Sequence, residues 1–532
     1  MHNLTRFTTR LKSIPAKHIA LCLGLLFFLQ SFTASLRHSL TWDEPSFIAA
    51  GYAYLKQGEF RFNPSHPPFA QYLVAAPLLA MDLRHPPVTY ENWIWSPNPV
   101  VSLGKALIYD SGHTPQTIAF RSRLPILCLG TLLVLAVFLW GRSLYGNWPA
   151  LVGTAVCALC PNLIAHSGLA TEDLVCSAFV FASCWSFWLA CKNQRQWQWA
   201  LCGIITGLAF ISKYTALALI PTFLTISALA CLAKRGSMSA GTWLRALGTT
   251  FGIAFLVVGA SYGRLDGWSI YFQGLRSIYT DLPPVMSWYL LGNFSTTTWW
   301  YYSIVAFVLK TSPGIIALLL FAGTLIFRKD DNRDDLVFVL VPAIIFIAIS
   351  FIDNANFGLR RILPALPFLY LFTSRILANA AMNHSRVAAM VTLVLLSLAA
   401  VETFMIYPNH LSYFSIAAGG PKQGPYLLND SNIDWGQDLP ALARWQQENG
   451  VSDMRFSYFG NANPASYGVQ ATPFPDSVQE LLNPPPGIYA ISVHNLIGNT
   501  ALRRDYGPKA DWLRSYKPIG RAGHSIYIYN VQ

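Results

Sequence analysis

Residues 121–140 read RSRLPILCLGTLLVLAVFLW, a run whose charges, Arg121 and Arg123, stand only at its beginning. A helix of this length rises about 30 Å, the thickness of a bilayer's hydrocarbon core. Comparable apolar windows recur at 19–36, 148–166, 174–191, 197–211, 214–233, 246–262, 301–327, 336–352, 362–378 and 387–406. Together they predict about 11 transmembrane helices. The window at 197–211 is short, and only Ser212 and Lys213 separate it from the next, so these two read either as a tight hairpin or as one broken helix.

The composition points the same way. The 532 residues include 37 Lys and Arg and 25 Asp and Glu, so 12% are charged, where an ordinary soluble protein carries about a quarter. With 53% hydrophobic residues and a mean hydropathy of +0.38, most of the chain must be solvated by membrane lipids. That excludes a cytosolic enzyme. The net charge of +12 is scattered between apolar runs instead of forming a stripe on a polar domain, so nucleic acid is not an expected partner. All nine cysteines lie in or beside apolar runs, which argues against a disulfide framework, and the CxxC pair Cys157 and Cys160 reads as packing.

Orientation follows from Lys and Arg in short connections. With residues 1–18 as a cytoplasmic N-terminus, the inner side receives Arg6, Arg10, Lys12, Lys17, Arg142, Lys192, Arg195, Lys234, Arg235, Arg245, Arg328, Lys329, Arg333 and Arg386. The short outer connections receive only Lys213, Arg264, Arg276, Arg360 and Arg361. Residues 19–36 read as a retained signal anchor, since no small-residue cleavage site follows them. An odd number of spans places two polar segments outside: the first loop, 37–120, within a transmembrane domain of 19–407, and a tail, 408–532. The tail reads as a small periplasmic α/β domain, with strands near 454–459, 488–493 and 525–530 and a helix Leu439–Asn449 between Asp438 and Gly450. The chain has no internal repeat of spans or motifs, which weighs against an inverted-repeat transporter.

Several polar groups fall on the outer side. The first loop opens on Thr41-Trp42-Asp43-Glu44-Pro45, where the two acids read as a reactive pair or as a helix N-terminus with proline in its first turn. Asn63-Pro64-Ser65-His66-Pro67-Pro68-Phe69 follows, leading into an apolar stretch, 70–80, that can lie along the interface as an amphipathic helix; His66 reads as a headgroup contact or an isolated surface histidine. Glu172 and Asp173 form a second acidic pair, with His166 shortly before, and are candidates for an acceptor or a divalent metal, or for a capped loop. Lys213 stands at an outer turn, and Arg360 and Arg361 follow Phe357-Gly358. Lys310 lies in an apolar stretch beyond Trp299–Tyr302, where it either serves function or snorkels to the interface. The run 430–438 lacks the Gly and Glu of a calcium loop and reads as a structured turn, with or without contact to an acceptor.

The DE pair of the first loop, the HPPF after it, GLAFISKYTAL around Lys213, WWYYSIVAFVLKTSP around Lys310 and GLRRILPALPF around Arg361 resemble the GT-C membrane glycosyltransferases. The likeness is to the protein O-mannosyltransferase and aminoarabinose-transferase group, family 39 and its bacterial relatives, and covers about residues 35–410, with 413–439 similar to the outer tail of some bacterial members. It implies a polyprenyl-phosphate sugar donor, transfer of a hexosyl or pentosyl unit on the outer face, Asp43 as the base engaging the acceptor with Glu44 as its neighbour, and His66 near the donor phosphate. KTSP stands at Lys310 where the family pattern is KTP. The resemblance leaves metal use open.

The chemistry of such a transfer fits these residue types. A base must take the acceptor's proton, and cations must receive the charge of the departing phosphate. Asp43 fills the first role, with Lys213, Arg360, Arg361, His66 and Lys310 for the second; a single displacement inverts the anomeric carbon. The expected acceptor is unidentified and the expected location is a bacterial inner membrane. A lipid-linked-glycan flippase or transporter is the alternative, and would need charged groups near the midplane. A scaffold binding envelope partners through its tail is a third reading.

Overall fold

The computed structural model describes residues 15–232, 238–280, 287–326, 335–353, 355–475, 479–480, 483–498 and 516–532. Of the basic residues used for orientation, Arg6, Arg10, Lys12, Lys234, Arg235, Arg328, Lys329 and Arg333 lie outside the described residues.

Each apolar window falls on helix, but fewer than eleven helices are long enough to span. Seven among the described residues have the length and apolarity to cross a membrane: Ala16–Ser35, Pro115–Tyr145, Glu172–Asn193, Tyr214–Leu232, Ala240–Ala260, Leu359–Met382 and Arg386–Ile406. Two bent pairs raise the number to nine. Asn147–Ala158 and Pro161–Ser167 meet at 64°, and Tyr302–Leu309 and Pro313–Thr324 at 115°. Both breaks precede a proline, whose ring disfavours helical backbone in the residue before it. The remaining two windows become Gln196–Phe210 and Leu336–Ile349, of 15 and 14 residues, or about 21–23 Å at the helical rise. Between Gln196–Phe210 and the following span the helix is interrupted at 211–213.

Glu172–Asn193 runs through the middle of the helical body, 72% of its apolar window buried, whereas Arg386–Ile406 is 22% buried and turns Leu393 and Met405 outward. A lipid-solvated helix needs no polar stripe, and only its protein-facing side is covered.

The first loop is folded over the helical body. It contains helices Glu44–Gln57, Pro68–Ala75 and Pro99–Tyr109. Ala70, Val74, Ala75 and Leu78, expected on an amphipathic surface helix, are fully buried against Glu44–Gln57 and Pro115–Tyr145. Gly51 permits the contact, since a Cβ there would stand 2.0 Å from the Gln71 carbonyl oxygen. The Gln71 amide in turn donates to the carbonyls of His66 at 2.9 Å and Pro67 at 3.2 Å, which sets the loop carrying His66.

The loop is locked by one buried ion pair. Arg123, in the window that opened the sequence, reaches Glu44: Nε to Oε1 and Nη2 to Oε2, both 2.7 Å. Its other N–H groups donate to the carbonyls of Ser35, His38 and Ser39, so all five guanidinium hydrogens are used. Glu44 also accepts from the amides of Thr41 and Ala170. Burial pushes the Glu44 carboxyl up, but Arg123 outweighs it and the net pKa lies below the ordinary glutamate value.

The tail carries a five-stranded sheet with strand order Thr472–Pro473, Arg455–Ser457, Gly487–Ser492, Ile526–Val531, Gly520–Ala522. The first two pairings are parallel and the last two antiparallel. Helix Leu439–Asn449 starts and stops as its flanking residues indicated, with Gly450 left-handed at φ 63°. Asp438 does not cap it through its side chain; the carboxylate instead accepts from the amides of His524 and Ser525. The tail joins the first loop through Ser39 and Trp42, whose amides donate to the carbonyls of Gln437 and Trp435, both at 2.9 Å.

Two stability outcomes follow from this packing. Glu44→Gln leaves Arg123 buried without its counter-charge and costs about 3 kcal/mol, read as a lowered midpoint of thermal unfolding at pH 7. Because the folded carboxyl pKa is depressed, the pair's contribution is present above the unfolded pKa and lost as pH falls through the folded one, so variant and wild type converge only below the folded pKa, which lies under the ordinary glutamate value. Gly51→Ala lowers the midpoint by several degrees, whereas Gly248→Ala, where nothing lies within 4 Å of the added carbon, does not. Equal midpoints for the two glycine variants would contradict the close approach at Gly51.

Candidate active site

The sequence-predicted groups divide into those that meet and those that do not. His66, Glu172, Lys213, Asp173, Arg360 and Asp43 form a chain of alternating sign. His66 Nδ1 lies 3.0 Å from Glu172 Oε2, and Lys213 Nζ lies 3.2 Å from Glu172 Oε1 and 2.6 Å from Asp173 Oδ1. Arg360 Nη1 lies 3.8 Å from Asp173 Oδ2 and 3.0 Å from Asp43 Oδ2. Arg361 extends the group, its Nε 3.1 Å from Asp353 Oδ2.

Local structure explains each placement. Glu172 and Asp173 occupy the first turn of the central helix, where the helix dipole favours acids. His166 is cut off from that helix by the turn at 168–171, yet its Nδ1 comes to 3.8 Å from Asp173. Lys213 sits at the break between Gln196–Phe210 and the span that starts at Tyr214. Burial works against its ammonium, but Asp173 and Glu172 outweigh the loss and hold its pKa above the ordinary lysine value. Gly358, at φ 104°, turns the chain into Leu359–Ala365, so that Arg360 and Arg361 project at the start of a span. Arg360 lies over the Trp435 ring at 4.5 Å, and Arg361 over Phe357 at 5.2 Å.

Two cavities surround this chain. One, of about 540 Å³, has mainly apolar walls, including Leu217, Pro221, Leu275, Ile278, Ile349 and Ile352. The other, of about 500 Å³, is lined by Trp42, Asp43, Asp173, Arg360, Asp430, Trp435, Phe459 and His494 among others. Both are lined by His66, Glu172, Lys213, Phe357 and Arg361.

Two expected members stand apart. Glu44, expected beside Asp43 as a catalytic carboxylate, points away into the Arg123 pair and lines neither cavity. Lys310, expected at the donor phosphate, is buried at the 115° bend, where its ammonium donates to the carbonyls of Leu411 at 2.9 Å and of Asn432. It ties the bent helix to the tail. Glu172 and Asp173, candidate metal ligands, have their carboxylates engaged by cations of the chain, and among the described residues no group of three or more His, Cys, Asp or Glu is placed to hold a metal ion.

Sequence reasoning missed Arg123, Asp353, Trp42, Phe459 and His494. A charge at the start of an apolar run is the signal that marks Arg123; Asp353 enters through Arg361, eight residues on, and Trp42 meets Phe459 and His494 only across more than 400 residues, which leaves no local pattern.

Residues 117–258 match the family described as dolichyl-phosphate-mannose-protein mannosyltransferase. The structure is similar to the Archaeoglobus fulgidus oligosaccharyltransferase in its apo form, with 12% identity over 94% of this chain and 73% of that one and a TM-score of 0.51. It is also similar to ArnT from Cupriavidus metallidurans in the apo state, with 12% identity, 97% and 98% coverage and a TM-score of 0.49. The S. cerevisiae protein O-mannosyltransferase Pmt1-Pmt2 complex bound to the sugar donor matches over 52% of this chain and 39% of that one, with 19% identity and a TM-score of 0.34. No curated protein matches. The chain therefore has the fold of the GT-C membrane glycosyltransferases, and its residues 117–258, about a quarter of it, match the model of the dolichyl-phosphate-mannose-protein mannosyltransferase family.

Proposed function

We propose that the protein is an inverting glycosyltransferase that moves a sugar from a polyprenyl-phosphate donor to an acceptor hydroxyl at the outer, periplasmic face of a bacterial inner membrane. The observation carrying this reading is the shared wall of the two cavities. A lipid-linked sugar has an apolar tail, a phosphate and a polar head in sequence, and here an apolar cavity, a cationic junction and a polar cavity follow in the same order. The mannosyltransferase family matched by residues 117–258 names a dolichyl-phosphate sugar, which supports the same donor class. Sidedness is supported by the bias of Lys and Arg across the short connections.

At the junction Arg361 is the principal anchor for phosphate. Its Nε lies 3.1 Å from Asp353 Oδ2, while its two terminal nitrogens make no hydrogen bond among the described residues and present a fork that suits phosphate oxygens. Lys213 adds charge beside it. Asp43, whose side chain is 27% exposed in the polar cavity, takes the acceptor's proton as the hydroxyl oxygen attacks the anomeric carbon. The anomeric C–O bond to phosphate breaks as the new one forms, and the electron pair leaves with the phosphate, where Arg361 and Lys213 face the growing charge. Arg360 holds Asp43 in line.

Release of polyprenyl phosphate from polyprenyl-phosphate mannose, measured on protein in lipid nanodiscs, tests this assignment. Asp43→Asn lowers kcat by about a thousand-fold with donor binding retained, and Arg361→Met raises the donor KM without abolishing turnover at saturation. Full activity in Asp43→Asn overturns the base, and an unchanged donor KM in Arg361→Met overturns the anchor.

A further inference from the structure

The part of the polar cavity not shared with the apolar one carries a wall of stacked aromatic rings, with carboxylates and Arg360 beside it. Trp42 stacks on Phe459 at 4.7 Å and 17°, and Phe459 stacks on His494 at 3.7 Å and 11°. The stack is fixed through its backbone: Trp42 N donates to the Trp435 carbonyl, Asn461 Nδ2 donates to the Trp42 carbonyl, and Phe459 N donates to Ser492 Oγ. One face of Trp42 is covered by Phe459, yet the residue is 39% exposed and lines the cavity. Beside it stand Asp43 and Asp430. Asp430 is held at φ 57°, a left-handed conformation uncommon outside glycine, and its Oδ1 accepts from the Ser431 amide, leaving Oδ2 with no hydrogen-bond partner among the described residues.

Resting on the transferase reading above, we propose that this wall is a subsite for a saccharide ring of the acceptor, seated on the open face of Trp42 with its hydroxyls donating to Asp43 and Asp430. A pyranose has one face of C–H groups, which suits an aromatic plane, and a rim of hydroxyl donors, which suits carboxylate oxygens. The geometry thus presents the acceptor hydroxyl to the same carboxylate that deprotonates it. A peptide acceptor fits less well. Extended peptides gain affinity by adding to a sheet edge, and neither edge strand of the tail, Thr472–Pro473 or Gly520–Ala522, contributes to the cavity.

Saturation-transfer NMR on the full-length protein in nanodiscs, with methyl glycosides of glucose, mannose and galactose as probes, tests the subsite without requiring turnover. Saturation is expected on the ring C–H protons of at least one glycoside. Trp42→Ala weakens that binding about ten-fold, Trp42→Phe largely retains it, and Asp430→Asn weakens it with the melting midpoint unchanged. Absence of saturation for every glycoside, or equal saturation in Trp42→Ala and wild type, overturns the inference. Binding of radiolabelled polyprenyl-phosphate mannose to the same samples separates the two levels. If the donor binds and is consumed with a Ser/Thr peptide while the glycosides give no signal, the saccharide subsite falls and the transferase stands. If the donor does not bind, the transferase reading falls and this inference with it.

Discussion

The buried pair of Glu44 with Arg123 is the contact on which the site depends. It lies one residue after Asp43, and one residue before Asp43 the Trp42 amide is tied to the carbonyl of Trp435. The Asp43 carboxylate is therefore held between two fixed points, one anchored in the long helix Pro115–Tyr145 and one in the tail. Two charges taken out of water cost several kcal/mol each unless every donor and acceptor is satisfied. Here Arg123 uses all its N–H groups, and Glu44 also receives the amides of Thr41 and Ala170. The Ala170 amide lies two residues before Glu172, so the same carboxylate that sets Asp43 also sets the start of the central helix.

From that start the charges alternate. His66, Glu172, Lys213, Asp173, Arg360 and Asp43 neutralise one another in pairs, which lets so many ionisable groups share a partly enclosed space. A uniformly cationic pocket would repel itself when empty. Arg361 differs, since its Nε lies beside Asp353 at the wall of the apolar cavity while its terminal nitrogens make no hydrogen bond among the described residues. An incoming phosphate need not break the chain to find a cation.

How much of this was legible in the sequence depends on how local each cause is. Helix positions followed from apolar runs, and Leu439–Asn449 was readable to the residue because Gly450 ends it through its own backbone. The two bends were marked by Pro161 and Pro313, but a proline does not say whether a helix kinks or folds back, and that choice is made by tertiary contacts such as those of the Lys310 ammonium. Asp43, His66, Glu172, Asp173, Lys213, Arg360 and Arg361 stood out in the sequence as polar groups on the outer side, but whether they capped helices, anchored the chain or met one another was not written in any local pattern. Glu44 was not separable from Asp43, because only Arg123, 79 residues away, distinguishes them. The aromatic wall was invisible for the same reason, being made of Trp42 and two residues of the tail.

The distribution of charge along the central helix bears on the choice between moving a sugar and moving a lipid. Glu172 and Asp173 occupy its first turn, and Lys192 near its far end is engaged by Asp335, which also accepts from the Trp188 indole at 2.9 Å. Between these ends Phe181 packs against Trp140 and Phe368, with ring centroids 5.2 and 5.1 Å away, and Trp140 contacts Trp188 in turn. Carrying a phosphate headgroup past this aromatic layer would strip its water with no cation to replace it among the described residues that form the layer. The polar groups instead meet a substrate from one end, where the two cavities join. This arrangement favours the proposed transfer of a sugar over the passage of a lipid headgroup.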